Sequence, residues 1–168
     1  MRVVIAPDSF KECATAPAVA EALARGIRRV WPEADLELIP MADGGEGTVD
    51  ALVRSTDGEM VTCAVTAPLG NTVQADYGIL GDRQCAVLEM AAASGLHLVP
   101  EANRDPRHTT TFGTGQLIVD VLNRGIRRLI IGVGGSATND GGAGMAQALG
   151  YQLRDATERD LPPGGAAL

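Results

Sequence analysis

The stretch Gly132-Val133-Gly134-Gly135-Ser136-Ala137-Thr138-Asn139-Asp140-Gly141-Gly142-Ala143-Gly144 decides the fold. It follows the apolar run Arg128 to Val133, which reads as a buried strand, and precedes Ala143 to Leu149, which reads as a short helix. Strand, glycine turn and helix in that order is the unit of parallel α/β architecture, where ligands bind at the carboxyl ends of strands. Six glycines in thirteen residues exceed what a tight turn capped by Asp140 requires. Backbone N–H groups freed by glycine can face an anion, and a helix N-terminus adds to the attraction. The loop's candidate binding residues are therefore Gly134, Gly135, Ser136, Thr138, Asn139, Gly141 and Gly142, with Asp140 as its carboxylate.

Working outward, two further strand ends carry polar residues. Val3 to Ala6 reads as a strand closed by Pro7, and Asp8, Ser9 and Lys11 follow it. A carboxylate there can hold a metal or take a hydroxyl proton, and a lysine can neutralise phosphate charge. Thr15 to Val30 has helical spacing of Val19, Leu23, Ile27 and Val30, and Asp35 to Ile39 alternates like a strand. After it comes Asp43-Gly44-Gly45-Glu46-Gly47, then a short helix over Thr48 to Arg54. Glu46 suits a helix N-terminus on dipole grounds alone, but the paired glycines before it favour a second ligand turn.

Glu59 to Ala67, Thr72 to Leu80 and Cys85 to Met90 read as a strand meander. Residues 91–113 read as loop-rich, Thr114 to Asn123 as a helix, and Tyr151 to Arg154 as a last strand. The expected organisation is a first α/β lobe over 1–66, then 67–168 as a meander leading into a second lobe that looks cut short. A weak internal echo joins the halves. Arg25-Gly26-Ile27-Arg28-Arg29 precedes one D-G-G-x-G turn, and Arg124-Gly125-Ile126-Arg127-Arg128 precedes the other.

Composition sets limits. Net charge is −7, the wrong sign for a nucleic-acid groove or an anionic membrane surface. Aromatics are 3%, so Val, Ile, Leu and Ala must build the core, as in buried parallel sheets. Cys13, Cys63 and Cys85 have no C-x-x-C spacing, which fits a reducing cytoplasm better than a disulfide framework. Gly132 to Ala137 mimics a dinucleotide fingerprint, but Thr138 to Gly142 intervenes where its helix should open, which disfavours an oxidoreductase. No P-loop motif occurs. Glu89, at the end of an apolar strand, reads equally as a functional carboxylate or a strand terminus. Arg104, Arg107 and His108 read first as solvated loop residues.

Four separated segments, Ile5 to Glu12, Pro40 to Thr48, Leu88 to Leu96 and Gly134 to Gly142, together with Phe112-Gly113-Thr114-Gly115, resemble the bacterial glycerate kinase family, in its 2-phosphoglycerate-forming branch. The resemblance implies a Rossmann- or flavodoxin-like parallel α/β lobe plus part of a second α/β lobe, with the cleft between them. It implies ATP-dependent, Mg²⁺-dependent phosphorylation of D-glycerate in the cytoplasm, with a homodimer as candidate assembly. It places Asp8, Ser9, Lys11, Asp43, Gly44, Gly45 and the Ser136 to Gly142 loop at the cleft. Lys11 is expected to neutralise developing charge, and Asp8, Asp43 and Asp140 to divide the work. One of Asp43 or Asp140 would hold the metal, and another carboxylate would orient the glycerate hydroxyl. The alternative is a fragment that binds a hydroxy acid or nucleotide without turnover.

Overall fold

The computed structural model describes residues 1–10 and 13–168. Arg2–Ile5 (β1) and Asp35–Leu38 (β2) pair in parallel, with Val3 opposite Leu36 and Ile5 opposite Leu38. A parallel pair requires a crossover, and Ala16–Val30 (α1) supplies it. Thr15 caps α1 by accepting from the Ala18 N–H at 3.4 Å, Pro17 sits in the first turn, and Arg28 and Arg29 sit in the last. Its buried face is Ala20 and Ala24 against Ile5, with Val3, Ile27 and Leu36 around them. Small residues there let the helix lie close on the strands.

A second sheet has the order β3-β4-β5-β6. Glu59–Thr66 (β3) and Thr72–Ile79 (β4) are antiparallel over their full length, and Cys85–Glu89 (β5) is antiparallel to β4. Arg128–Gly132 (β6) then joins β5 in parallel, after a crossover through Phe112–Asn123 (α4). The meander is thus present. The expected division at 66/67 falls in the turn between two fully paired strands, and the change from one sheet to the other lies between β2 and β3.

Alternation along β5 organises both faces of this sheet. Cys85 and Val87 face Val49 and Val53 of Thr48–Ser55 (α2). Ala86 and Leu88 join the cluster that holds Leu117, Ile118 and Val121 of α4. Fully burying a residue such as Leu88 or Leu117 contributes about 1.5–3 kcal/mol. Helix α2 follows β2 in the chain yet packs on the second sheet, so it ties the two sheets together. Ala91–Ser94 (α3) follows β5, and Ala143–Ala148 (α5) follows the glycine loop after β6.

Three expectations change. Tyr151 to Arg154 is not a strand. Its one ladder contact is the Arg154–Asp160 bridge, closed over a turn in which Asp155 Oδ1 accepts from the Thr157 and Arg159 N–H groups. Among the described residues, strand β6 stands at the sheet edge instead of being buried on both sides, with β5 as its neighbour and Ile130 and Ile131 43% and 40% exposed. Helix α4 begins at Phe112, before the expected start at Thr114, and Gly113 and Gly115 lie against the carbonyls of Thr66 and Met145 where a side chain would collide. Gly113 reads as loop in sequence and Gly115 as helix, and both serve as packing in space.

Candidate functional site

Three strand ends converge. Glu89 is two residues beyond Val87 on the same face of β5, and that face carries α2. Its Oε1 accepts from the Val49 N–H at 3.0 Å, in the first turn of α2. The open even choice for Glu89 thus resolves to a carboxylate that holds a helix N-terminus from another strand. The glycine turn before α2 then meets the end of β6 backbone to backbone. The Gly134 N–H donates to the Gly44 carbonyl at 3.4 Å. A Cβ on Gly132 would stand 2.4 Å from that same carbonyl, so no side chain fits between the two turns.

Each turn keeps unsatisfied donors. In the first, the Gly44 N–H donates to Thr48 Oγ1 at 3.1 Å and the Gly45 N–H to Asp43 Oδ1 at 3.1 Å. The N–H groups of Glu46 and Gly47 have no protein acceptor among the described residues. In the second, Ala137 is pinned twice. Its N–H donates to the Ser94 carbonyl at 2.9 Å, and its carbonyl accepts from Thr109 Oγ1 at 2.8 Å. On either side of Ala137, the N–H groups of the exposed residues Gly135, Ser136, Asn139 and Gly141 likewise have no acceptor among the described residues. Ser136 Oγ turns inward to the Thr138 N–H at 3.1 Å, and the Ser136 and Thr138 hydroxyls lie 3.0 Å apart.

Two cavities flank this junction and share Glu46, Gly47 and Asp50 as their wall. One, of ≈ 1040 Å³, is lined by Ser9, Phe10, Met41 and Arg54 as well as that wall. The other, of ≈ 630 Å³, reaches Glu89, Gly134 and Gly135. Ser9 and Glu46 thus border one space, and Glu46, Gly134 and Gly135 the other.

The three expected aspartates differ sharply. Asp8 is exposed, and its Oδ1 accepts from the Ser9 N–H at 2.6 Å. Asp43 is exposed, and one of its oxygens carries the Gly45 bond. Asp140 is 1% exposed, and both of its oxygens are engaged by donors from Thr111, Gly142 and Gly144. As donors for a hard cation such as Mg²⁺, which takes one or two carboxylates plus phosphate oxygens, Asp43 has an oxygen without a donor among the described residues and Asp140 has none. Lys11 lies outside the described residues. Arg107 is committed elsewhere. Its side-chain hydrogen bond and then its backbone N–H draw the Asp105 carboxyl down to about 2, and the guanidinium rises in turn.

Residues 3–168 match the glycerate kinase family. The chain belongs to that family. It is 57% identical to a glycerate kinase of Bacillus subtilis across all of this chain, and 53% identical to a glycerate 2-kinase of Escherichia coli. A solved structure assigned as glycerate kinase 2 of Salmonella typhimurium LT2 superposes with a TM-score of 0.85 at 56% identity, covering 99% of this chain. The α/β class expected for the family is the class observed. The chain spans 44% of the length of the Bacillus and Escherichia relatives and 45% of the Salmonella chain. No helix among the described residues is long and apolar enough to cross a membrane.

Proposed function

We propose that the protein to which this chain contributes transfers the γ-phosphoryl of ATP to a hydroxyl of D-glycerate. The observation that carries this reading is the meeting of two glycine turns at the carboxyl ends of β2 and β6, with free N–H donors on both. Phosphoryl transfer needs little covalent help from a protein. It needs positioning in line and neutralisation of charge on the transferring group. The donors of Gly135, Ser136, Asn139 and Gly141 bind phosphate or glycerate carboxylate oxygens, and those of Glu46 and Gly47 supply the facing side.

Asp43 takes the role that needs a free carboxylate oxygen, and Asp8 is the second accessible carboxylate. One holds Mg²⁺ and the other orients the glycerate hydroxyl as its proton leaves. Bound Mg²⁺ would neutralise phosphate charge as it develops. Lys11 supplies the positive charge that an acidic chain must provide locally. The product favoured is 2-phosphoglycerate, in keeping with the name of the Escherichia coli relative. The setting is the cytoplasm, and a homodimer is the candidate assembly.

Phosphorus NMR tests the proposal directly. The complete reading frame is incubated with ATP, Mg²⁺ and D-glycerate beside the 168-residue chain. A 2-phosphoglycerate resonance from the complete protein is the expected result. No phosphoglycerate from a folded complete protein would overturn it. Thermal stabilisation by ATP or glycerate without product would then favour a binding protein.

A further inference from the structure

We infer that Asp140 is a positioning residue. Its buried carboxylate joins the N-termini of α4 and α5, sets the shape of the ligand loop before it, and touches no ligand. This rests on the phosphotransferase reading above and deepens it.

The geometry begins with the side chain's partners. Asp140 Oδ2 accepts from the Thr111 N–H and Thr111 Oγ1, each at 2.8 Å, and from the Gly144 N–H at 3.1 Å. Oδ1 accepts from the Gly142 N–H at 3.1 Å, with Thr111 Oγ1 at 3.0 Å. Thr111 is the residue before α4, and Gly142 and Gly144 open α5. Thr111 Oγ1 also accepts from the Met145 N–H at 2.9 Å, so one hydroxyl and one carboxylate knit both helix starts together. Helix N-termini leave N–H donors without internal partners, and two of them here are satisfied by a single anion.

Thr109 and Thr111 then act on the same loop from one side. Thr109 holds Ala137 and Thr111 holds Asp140, at 0% and 6% exposure. Gly134 is held from the opposite side by Gly44. The loop is therefore fixed at residues 134, 137 and 140, and its free donors lie between and just beyond those points. Moving Asp140 moves Asn139 and Gly141 with it. A carboxylate with every lone-pair direction engaged acts on a ligand through the loop it holds.

The test uses Asp140→Asn, Thr111→Val and Thr111→Ser in the complete reading frame. An amide in place of the carboxylate sets donors against donors, and valine removes the hydroxyl at nearly constant shape. KM for ATP or for glycerate should rise about tenfold or more, with kcat changed less, in both Asp140→Asn and Thr111→Val. Thr111→Ser, which keeps the hydroxyl, should restore KM, and the Mg²⁺ dependence should be unchanged in all three. A collapse of kcat at constant KM with an altered Mg²⁺ requirement would put Asp140 on the reactants and overturn the inference. A lowered Tm with unchanged KM and kcat would reduce it to a fold clamp and overturn it as well. If Asp140→Asn does not fold, the Thr111 pair decides.

If the unsubstituted enzyme makes no phosphoglycerate, the activity reading fails separately. Amide NMR of the complete protein then carries the question. Thr111→Val should shift the Gly135 to Asn139 resonances and speed exchange at Gly142 and Gly144. Unmoved loop resonances would overturn the inference.

Discussion

The two D-G-G-x-G turns begin alike and end as opposites. Asp43 and Asp140 each accept from the N–H two residues on, both at 3.1 Å. In the first turn the side chain stays in solvent, and its second oxygen has no hydrogen-bond donor among the described residues. In the second it is sealed beneath α4, with that oxygen taken by Thr111 and Gly144. The helix after the first turn is held instead from outside, by Glu89. Local sequence sets the shape of the turn, and the surrounding elements decide whether its carboxylate stays open to solvent or is sealed as a fastener.

The largest effect that separates the turns should come from Asp43→Asn. Turnover by the complete enzyme should fall about 10²- to 10⁴-fold with its melting temperature held, measured by coupled assay and calorimetry. Near-normal turnover would return Asp43 to a structural role and erase the contrast. The fifth position of each turn supplies the next comparison. A Cβ on Gly144 would lie 2.2 Å from Thr110 Oγ1 and 2.7 Å from the Phe112 nitrogen. Gly144→Ala should destabilise by about 3 kcal/mol in urea unfolding.

Gly47 has φ +92° and open space around it, so only backbone strain opposes a side chain there. Gly47→Ala should cost about 1 kcal/mol, and equal losses at the two sites would show that burial does not distinguish the turns. The smallest effect should be that of Glu89→Gln, which keeps an acceptor for the Val49 N–H but removes the charge. A loss of about 0.5 kcal/mol is expected, reduced by added salt. A loss several times larger would mean that Glu89 is buried more like Asp140 than its half-exposed position indicates.

The strands, helices and glycine turns were legible because each has a local signature. Period-two alternation marks β3 and β4, an apolar run marks β5, helical spacing marks α1, and glycine pairs mark the strand ends. Asp140 was legible as a cap for the helix that follows it, but its bond to Thr111 was not, because Thr111 lies far back in the chain. The repeated R-G-I-R-R string teaches the same lesson. Gly26 lies inside α1, while Gly125 takes φ +85° and stops the chain beyond α4. One string serves as helix and as helix stop, according to what it packs on. Exposure of Ile130 and Ile131 was equally hidden, since an apolar run looks the same at the edge of a sheet as at its centre.

The backbone contact between Gly44 and Gly132 also has a consequence for the order in which the chain folds. Strands β3, β4 and β5 are joined by short turns and can zip together early, at little cost in loop entropy. The two glycine turns meet only after β2, α2, α4 and β6 are all in place, because the chain between them includes nearly the whole second sheet. The contact between the two turns thus closes a long stretch of chain, and an anion that bridged the two turns would stabilise that closure by binding the closed form alone.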